Sequence, residues 1–274
     1  MNDFPKARIM SFGYDADAVK LWTVRPAGSN DLRDHGKSLA NGIAEWRADV
    51  SVRNRPIVFI VHSMGGLVCE QALILCNTSN EDRLSRILNS TVGILFMGTP
   101  HRGSSLATWG STLAKYLNMV RRVNRDIVKS LEVTSPVLRA VQEEFQKILL
   151  KPEHRDRIRI FCFYEELAIP LVGMIVPKDS AIFQQYPNTS IHANHMDMTK
   201  FSDANDPGYC SVRGILQDWI GSLNAERAAS IAQLNAATED SAAGAVHNTW
   251  NMNSQGGPQF QGGSLSGNTF TWGK

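Results

Sequence analysis

A serine between a histidine and two glycines is the first feature of this sequence that could do chemistry. His62-Ser63-Met64-Gly65-Gly66 follows an apolar run, Ile57 to Val61, and precedes a stretch of helical composition. A strand, a sharp turn and a helix, with Ser at the turn, is the context of a nucleophile elbow. Gly65 supplies a small residue, whereas Val61 stands where the G-x-S-x-G pattern has its first Gly. The alternative interpretation is a glycine-rich turn with an incidental serine, and the flanking pattern disfavours it.

A serine hydroxyl needs a base to accept its proton, and seven histidines are candidates. In chains with a serine at a turn between a strand and a helix, the nucleophile, the acid and the base commonly follow one another in that order. His195 lies far enough after Ser63 in the sequence to be the base. His62 adjoins the serine and cannot easily reach back to it. His101 follows the wrong strand, and His192 competes with His195 within the same loop. The sequence therefore favours His195 as the base.

The acid that would orient this base is less sharply defined. Glu165 and Glu166 follow a predicted strand between the serine and His195. Consecutive residues of a strand point to opposite faces, so only one of them can face the base. The fallback carboxylates are Asp179 and Asp197.

Stabilisation of an oxyanion needs backbone N–H donors near the serine. The amide of Met64, at the start of the predicted helix, is one such donor. The second donor normally comes from a loop after an earlier strand, and no such strand and loop precede residue 7.

The sequence does not predict a metal or cofactor site. The spacing of His192-x-x-His195 with Asp197 is too loose for a set of metal ligands, and no phosphate-binding or dinucleotide motif occurs, so we expect no cofactor.

The elements that must position these residues alternate along the chain. Apolar strands are predicted at 7–12, 57–61, 91–97 and 158–164, with helical patterns between them and a last amphipathic helix from Tyr209 to Leu223. This alternation predicts an α/β fold with a mostly parallel sheet covered by helices on both faces. Residues 106–150 form a helical insertion that either caps the site or covers the sheet, and both interpretations stay open.

Composition limits the classes of partner and cellular compartment that the sequence allows. The 274 residues carry a net charge of +2, so nothing at the level of the whole chain favours nucleic acid as a partner. The four cysteines lack C-x-x-C spacing and are expected to be buried free thiols of a reducing compartment. Neither an apolar leader nor a membrane-spanning stretch is evident, so we expect a cytoplasmic location.

Three motifs together resemble the lipase-like serine α/β-hydrolases. They are His62 to Gly66, Gly98-Thr99-Pro100-His101-Arg102-Gly103-Ser104, and Asn194-His195-Met196-Asp197-Met198. The branch they resemble most is the serine-active-site group found as effector domains beside fungal NOD-like receptors. The resemblance covers about residues 1–222. It implies hydrolysis of a lipid or other ester in an immune or incompatibility pathway, with membrane association on activation, Ser63 as nucleophile, His195 as base and Glu165, or else Glu166, as acid.

One departure from that family concerns the N-terminus. Full-length members begin with a strand and a His-Gly loop that supplies the second oxyanion donor, and this sequence lacks them. The expected domains are therefore an N-terminally truncated hydrolase domain at 1–223, an Ala-rich linker or helix extension at 224–245, and a tail at 246–274. Loss of one oxyanion donor slows turnover by on the order of 100- to 1000-fold, so an impaired enzyme is the alternative interpretation.

The tail has a composition of its own, rich in Gly, Asn, Gln, Ser and Thr. Its Gln259-Phe260-Gln261-Gly262 segment is similar to fungal amyloid signalling motifs and to RHIM cores. Asn and Gln ladders with stacked aromatics favour cross-β stacking. The resemblance implies recruitment by a NOD-like receptor with a matching motif, and self-assembly through these four residues. The alternatives are a catalytically impaired signalling module that works through this tail, and a tail that is simply disordered.

Overall fold

The computed structural model describes residues 3–13, 28–101, 112 and 139–245. The helices are α1 (Gly28–Trp46), α2 (Met64–Thr78), α3 (Asp82–Ser90), α4 (139–150), α5 (Pro152–Arg155), α6 (Lys178–Ala181) and α7 (Pro207–Ala245). The strands are β1 (Ile57–His62), β2 (Thr91–Met97), β3 (Arg159–Glu165) and β4 (Asn188–Ile191). The chain divides into two units, Met1–Trp219 and Ile220–Lys274, and all four strands lie in the first.

The four strands form one parallel sheet in the order β1-β2-β3-β4. Val58–His62 pairs with Gly93–Met97, and the same β2 residues pair with Arg159–Phe163. Cys162–Glu165 then pairs with Asn188–Ile191. Because all strands run in one direction, the residues that follow β1, β3 and β4 emerge at the same edge of the sheet. The sequence segments that carry the candidate serine, acid and base are brought to that edge.

Helices cover both faces of this sheet. Alternate residues of β2 face opposite sides, with Ile94 and Phe96 in one core and Leu95 and Met97 in the other. The larger core takes its helical side chains from α1 to α4 and from Ala181 of α6. The smaller core is closed by Val212 and Trp219 of α7. The expected α/β architecture with a parallel sheet and two helical layers is therefore confirmed at this level.

Several predicted elements differ from the structure. Residues 7–12 form no regular strand. β1, expected to be buried on both faces, is only half-buried and Ile60 is 53% exposed, because β1 is one of the two edge strands of the described sheet. The segment Val176–Ala181, expected as a short strand or turn, contains the short helix α6. The last helix extends well beyond Leu223 and ends at Ala245, so residues 224–245 continue it.

The insertion at 106–150 is described only in part. α4 packs Val141, Phe145, Ile148 and Leu149 into the larger core, so this portion covers the sheet. Most of the remainder of the insertion, and the whole tail at 246–274 with Gln259, Phe260, Gln261 and Gly262, lie outside the described residues. Within the described ranges, the helices include none with the length and apolar character needed to cross a bilayer.

Candidate active site

Ser63 occupies a backbone conformation that few side chains adopt. It lies between the end of β1 and the first residue of α2, with φ 53° and ψ −128°. Its amide donates to the carbonyl of Met97, so the pairing of β1 with β2 continues into the turn. The side chain makes no capping hydrogen bond to α2. The strained turn therefore leaves the hydroxyl free to interact away from its own helix.

The hydroxyl of Ser63 meets the ring of His195. Their Oγ and Nε2 atoms are 2.8 Å apart, across 132 residues of sequence. His195 follows β4 in a turn where Asn194 accepts backbone hydrogen bonds from Met196 and Asp197. The ring is 1% exposed. This is the arrangement in which a neutral imidazole accepts the proton of an attacking serine.

Glu165, the last residue of β3, lies behind this ring. Its carboxylate accepts hydrogen bonds from the amides of His195, at 2.8 Å, and of Val176. Its Oε1 is 3.9 Å from Nδ1 of His195, which is beyond hydrogen-bonding distance and leaves Nδ1 without a partner. Catalytic hydrogen bonds are often long without substrate and shorten in the reacting complex, so the geometry fits an orienting acid.

The structure does not bring the alternative acids to the serine. Glu166 is exposed and lies 3.5 Å from exposed His192. Asp179 is exposed on α6. Asp197 is exposed and accepts from Asn194 and Lys200. Among the predicted carboxylates, Glu165 is the one buried beside the base.

The other candidate histidines also lie in different places. His192 is exposed in the loop before the base. His101 is buried, with Nδ1 3.2 Å from Oε1 of Glu70 on α2 and its ring stacked on Phe183. Its backbone amide donates to the carbonyl of Ser180. His101 thus links α2 to the loop after β2 and does not approach the serine as a base.

His62 is the residue that sequence reasoning missed. Its ring does not turn back to Ser63, as expected, but its Nε2 lies 2.9 Å from the backbone carbonyl oxygen of His195. The two rings have centroids 4.9 Å apart. The sequence signal that could have found His62 was its position at the end of β1. That end lies at the sheet edge that also carries the loop after β4 with His195, here called the base loop.

Gly98 provides the space for the ring of the base. It has φ +58°, and a Cβ there would lie 3.0 Å from both Cε1 and Nδ1 of His195. Its amide donates to the carbonyl of Phe163, which continues the pairing of β2 with β3. Both the positive φ and the close approach of the ring favour glycine at this position.

Burial sets the protonation states of the site. It lowers the pKa of His195 to about 3, with the positive charge that His62 can carry as the smaller cause. Burial also lowers the pKa of His62, opposed by its hydrogen bond to the carbonyl of His195. The pKa of Glu165 is raised by burial, against hydrogen bonds from amides that favour the carboxylate. Both rings are therefore neutral at pH 7, as a general base must be.

Metal chemistry has no obvious centre in the described ranges. No group of three or more His, Cys, Asp or Glu side chains there has the geometry to hold a metal ion. His192, His195 and Asp197 do not converge, since His195 is turned to the serine while the other two are exposed. The contact between Ser63 and His195 supports nucleophilic chemistry by the serine hydroxyl.

Comparison with known proteins places this chain beside a vertebrate protein. Over 203 residues, 72% of this chain, it is 30% identical to Protein SERAC1 of Bos taurus and to Protein SERAC1 of Homo sapiens. Over 227 residues it is 28% identical to Protein SERAC1 of Danio rerio. The matched region covers 29% to 32% of those relatives, so the chain spans less than a third of their length.

These relatives support homology to Protein SERAC1 over 72% to 80% of the chain and nothing narrower. No family model matches the sequence, and no solved structure does. The relatives found are vertebrate proteins, so they give no support to the fungal immune role or to the amyloid-like tail expected from the sequence.

Proposed function

We propose that this chain is a serine hydrolase of carboxylic esters with an α/β-hydrolase type of fold. The observation that carries the proposal is the 2.8 Å contact between Oγ of Ser63 and Nε2 of His195. The buried carboxylate of Glu165 behind the base adds to it. Nucleophile, acid and base lie at or after the ends of different parallel strands, in the chain order typical of that fold.

The reaction proceeds in two halves. Oγ of Ser63 attacks the ester carbonyl carbon while its proton passes to Nε2 of His195. The imidazolium returns this proton to the leaving alcohol, and an acyl-serine remains. A water molecule then attacks the acyl carbon, gives its proton to Nε2, and the proton returns to Ser63 as the acid departs. Met64 begins α2, so its amide has no partner within the helix and is a donor for the oxyanion.

We propose a lipid ester as the substrate, on the resemblance of the three motifs to lipase-like hydrolases. Hydrolysis of p-nitrophenyl esters from acetate to decanoate, alongside phosphatidylcholine vesicles, tests this. We expect the specificity constant to rise with acyl length. Turnover confined to the acetate ester would reject the lipid substrate while leaving the hydrolase intact.

A fluorophosphonate probe tests the hydrolase itself, because it forms an adduct only with an activated serine. We expect one adduct, mapped to Ser63 by mass spectrometry, and no adduct in the Ser63→Ala or His195→Ala variants. Ester turnover should fall at least about a thousandfold in either variant. The matched control is Ser202→Ala, since Ser202 is exposed and its side chain contacts Asp203 and Asp206. A folded wild-type protein without a Ser63 adduct would overturn the proposal.

A further inference from the structure

His62 makes a contact that the hydrolytic steps above do not use. Its Nε2 lies 2.9 Å from the backbone carbonyl oxygen of His195 across 133 residues of sequence. A carbonyl can only accept, so the ring must donate, and Nε2 therefore carries the proton. The histidine immediately before the nucleophile thus holds the backbone of the candidate base.

The other described hydrogen bonds of His195 go to residues outside β1. The amide of His195 is bound to Glu165 at the end of β3, and the ring itself reaches Ser63. Glu165 belongs to a strand separated from β1 by β2. The His62 bond links the backbone of the base directly to β1, next to the nucleophile.

The closeness of the two rings gives the contact a second consequence. Their centroids are 4.9 Å apart at an interplanar angle of 37°. When His195 accepts the serine proton, its positive charge develops beside the ring of His62. A neutral His62 opposes that charge less than a protonated one would, so the donor must act as an uncharged imidazole.

We propose that His62 is a positioning residue that fixes His195 relative to Ser63 through its Nε2–H donor to the His195 carbonyl. The inference rests on the proposed hydrolase function. It assigns His62 no contact with substrate. The group of His62 that this role requires is the single N–H donor at Nε2, directed at the His195 carbonyl.

Two substitutions at position 62 separate the donor from the bulk of the ring. Gln places an amide N–H close to the position of Nε2, whereas Leu fills similar space without a donor. We expect His62→Leu to lower kcat for ester hydrolysis between about 10- and 100-fold with KM little changed. His62→Gln should recover most of the loss. The matched control is His192→Leu, which removes an exposed histidine from the loop that carries His195. It should leave kcat at the wild-type value.

Nitrogen NMR of the imidazole rings gives a readout that does not depend on turnover. We expect His62 to be the Nε2–H tautomer at pH 7, and His195 to show one ring environment in wild type and several in His62→Leu. A wild-type His62 in the Nδ1–H form, or a His62→Gln as impaired as His62→Leu, would overturn the inference. An inactive wild type with the expected tautomer and ring environments would count against the hydrolase proposal alone.

Discussion

At Ser63 the backbone conformation and the chemistry depend on the same turn. The φ of 53° directs the side chain away from α2, so the hydroxyl makes no cap and meets His195 instead. Conformations of this kind cost of order 1–3 kcal/mol and persist where the surroundings fix them. Here the surroundings are the β1–β2 pairing through Met97 and the bond from Ser63 to the base.

The protonation of His195 gives a pH prediction. Burial holds its pKa far below the ordinary value of 6.5, so the ring stays an unprotonated base well into acid. We expect the rate of fluorophosphonate labelling to change by less than about twofold between pH 7 and pH 5.5. A free imidazole with a pKa of about 6.5 would be about nine-tenths protonated at pH 5.5. Labelling that falls in proportion to that titration would contradict the buried site.

Three histidines with lowered pKa values make the folded state sensitive to acid, so unfolding must be measured alongside labelling. His195, His62 and His154 have lowered pKa values when folded, so below about pH 6.5 the unfolded chain binds protons that the folded chain does not. Their contribution to the free energy of unfolding therefore decreases as pH falls through that value. Circular dichroism at each pH is the control that separates unfolding from protonation of the base.

At the scale of elements, the site depends on how closely α2, the residues after β2 and the loop that carries His195 pack together. Gly66 of α2 would place a Cβ 2.2 Å from Oγ1 of Thr99, after β2. Gly98 would place one 3.0 Å from the ring of His195. These two glycines set the spacing between the nucleophile helix, the loop after β2 and the base.

Gly98→Ala tests this spacing. The added Cβ meets the His195 ring and Met198, so we expect labelling of Ser63 to fall at least about tenfold. The positive φ should also reduce the free energy of unfolding by about 1–3 kcal/mol. Denaturant unfolding and the labelling rate, measured on the same preparation, report the two effects.

Gly173→Ala is the matched control for that variant. Gly173 also has a positive φ, of 97°, but a Cβ there meets nothing within 4 Å. We expect it to lose comparable stability while its labelling rate stays near the wild-type value. Equal losses of labelling in both variants would show that backbone strain, and not contact with the base, explains the effect at Gly98.

The sequence predicted the alternation of strands and helices because buried parallel strands are continuous apolar runs. It placed three of the four strands of the sheet, including β2, whose seven residues are all buried. It could not predict that β1 would be a half-buried edge strand, because the same apolar run is compatible with a central strand and with an edge strand. Trp46 shows the same limit: it shares a helical face with buried Leu39 and Ile43, yet it is 46% exposed.

The order of the candidate site residues along the chain was predictable, whereas their contacts in space were not. Apolar runs mark the strands at whose ends Ser63 and Glu165 lie, whereas β4 before His195 has the sequence Asn-Thr-Ser-Ile and was not predicted. The choice of Glu165 over Glu166 depends on which face of β3 is buried, and the two are neighbours in the sequence. The contact of His62 joins residues 133 positions apart, and no local pattern specifies it.

At the scale of the whole molecule, all described contacts of the site lie within the first unit, Met1–Trp219. The helix α7 buries Val212 and Trp219 in that unit, whereas residues 224–238 are exposed. The contacts among Ser63, His195 and Glu165 involve nothing beyond residue 219. Catalysis and any activity of the tail should therefore be separable.

Removal of residues 246–274 tests that separation. We expect the shortened chain to label at Ser63 within about twofold of the full chain, because the described contacts among Ser63, His195 and Glu165 are made by residues of the first unit. A full-length Phe260→Ala variant is the matched comparison, since it alters the segment proposed for self-assembly and keeps the chain length. Sedimentation velocity on both proteins reports assembly, and circular dichroism confirms folding. A folded shortened chain whose labelling falls more than about tenfold would mean that the tail contributes to the site.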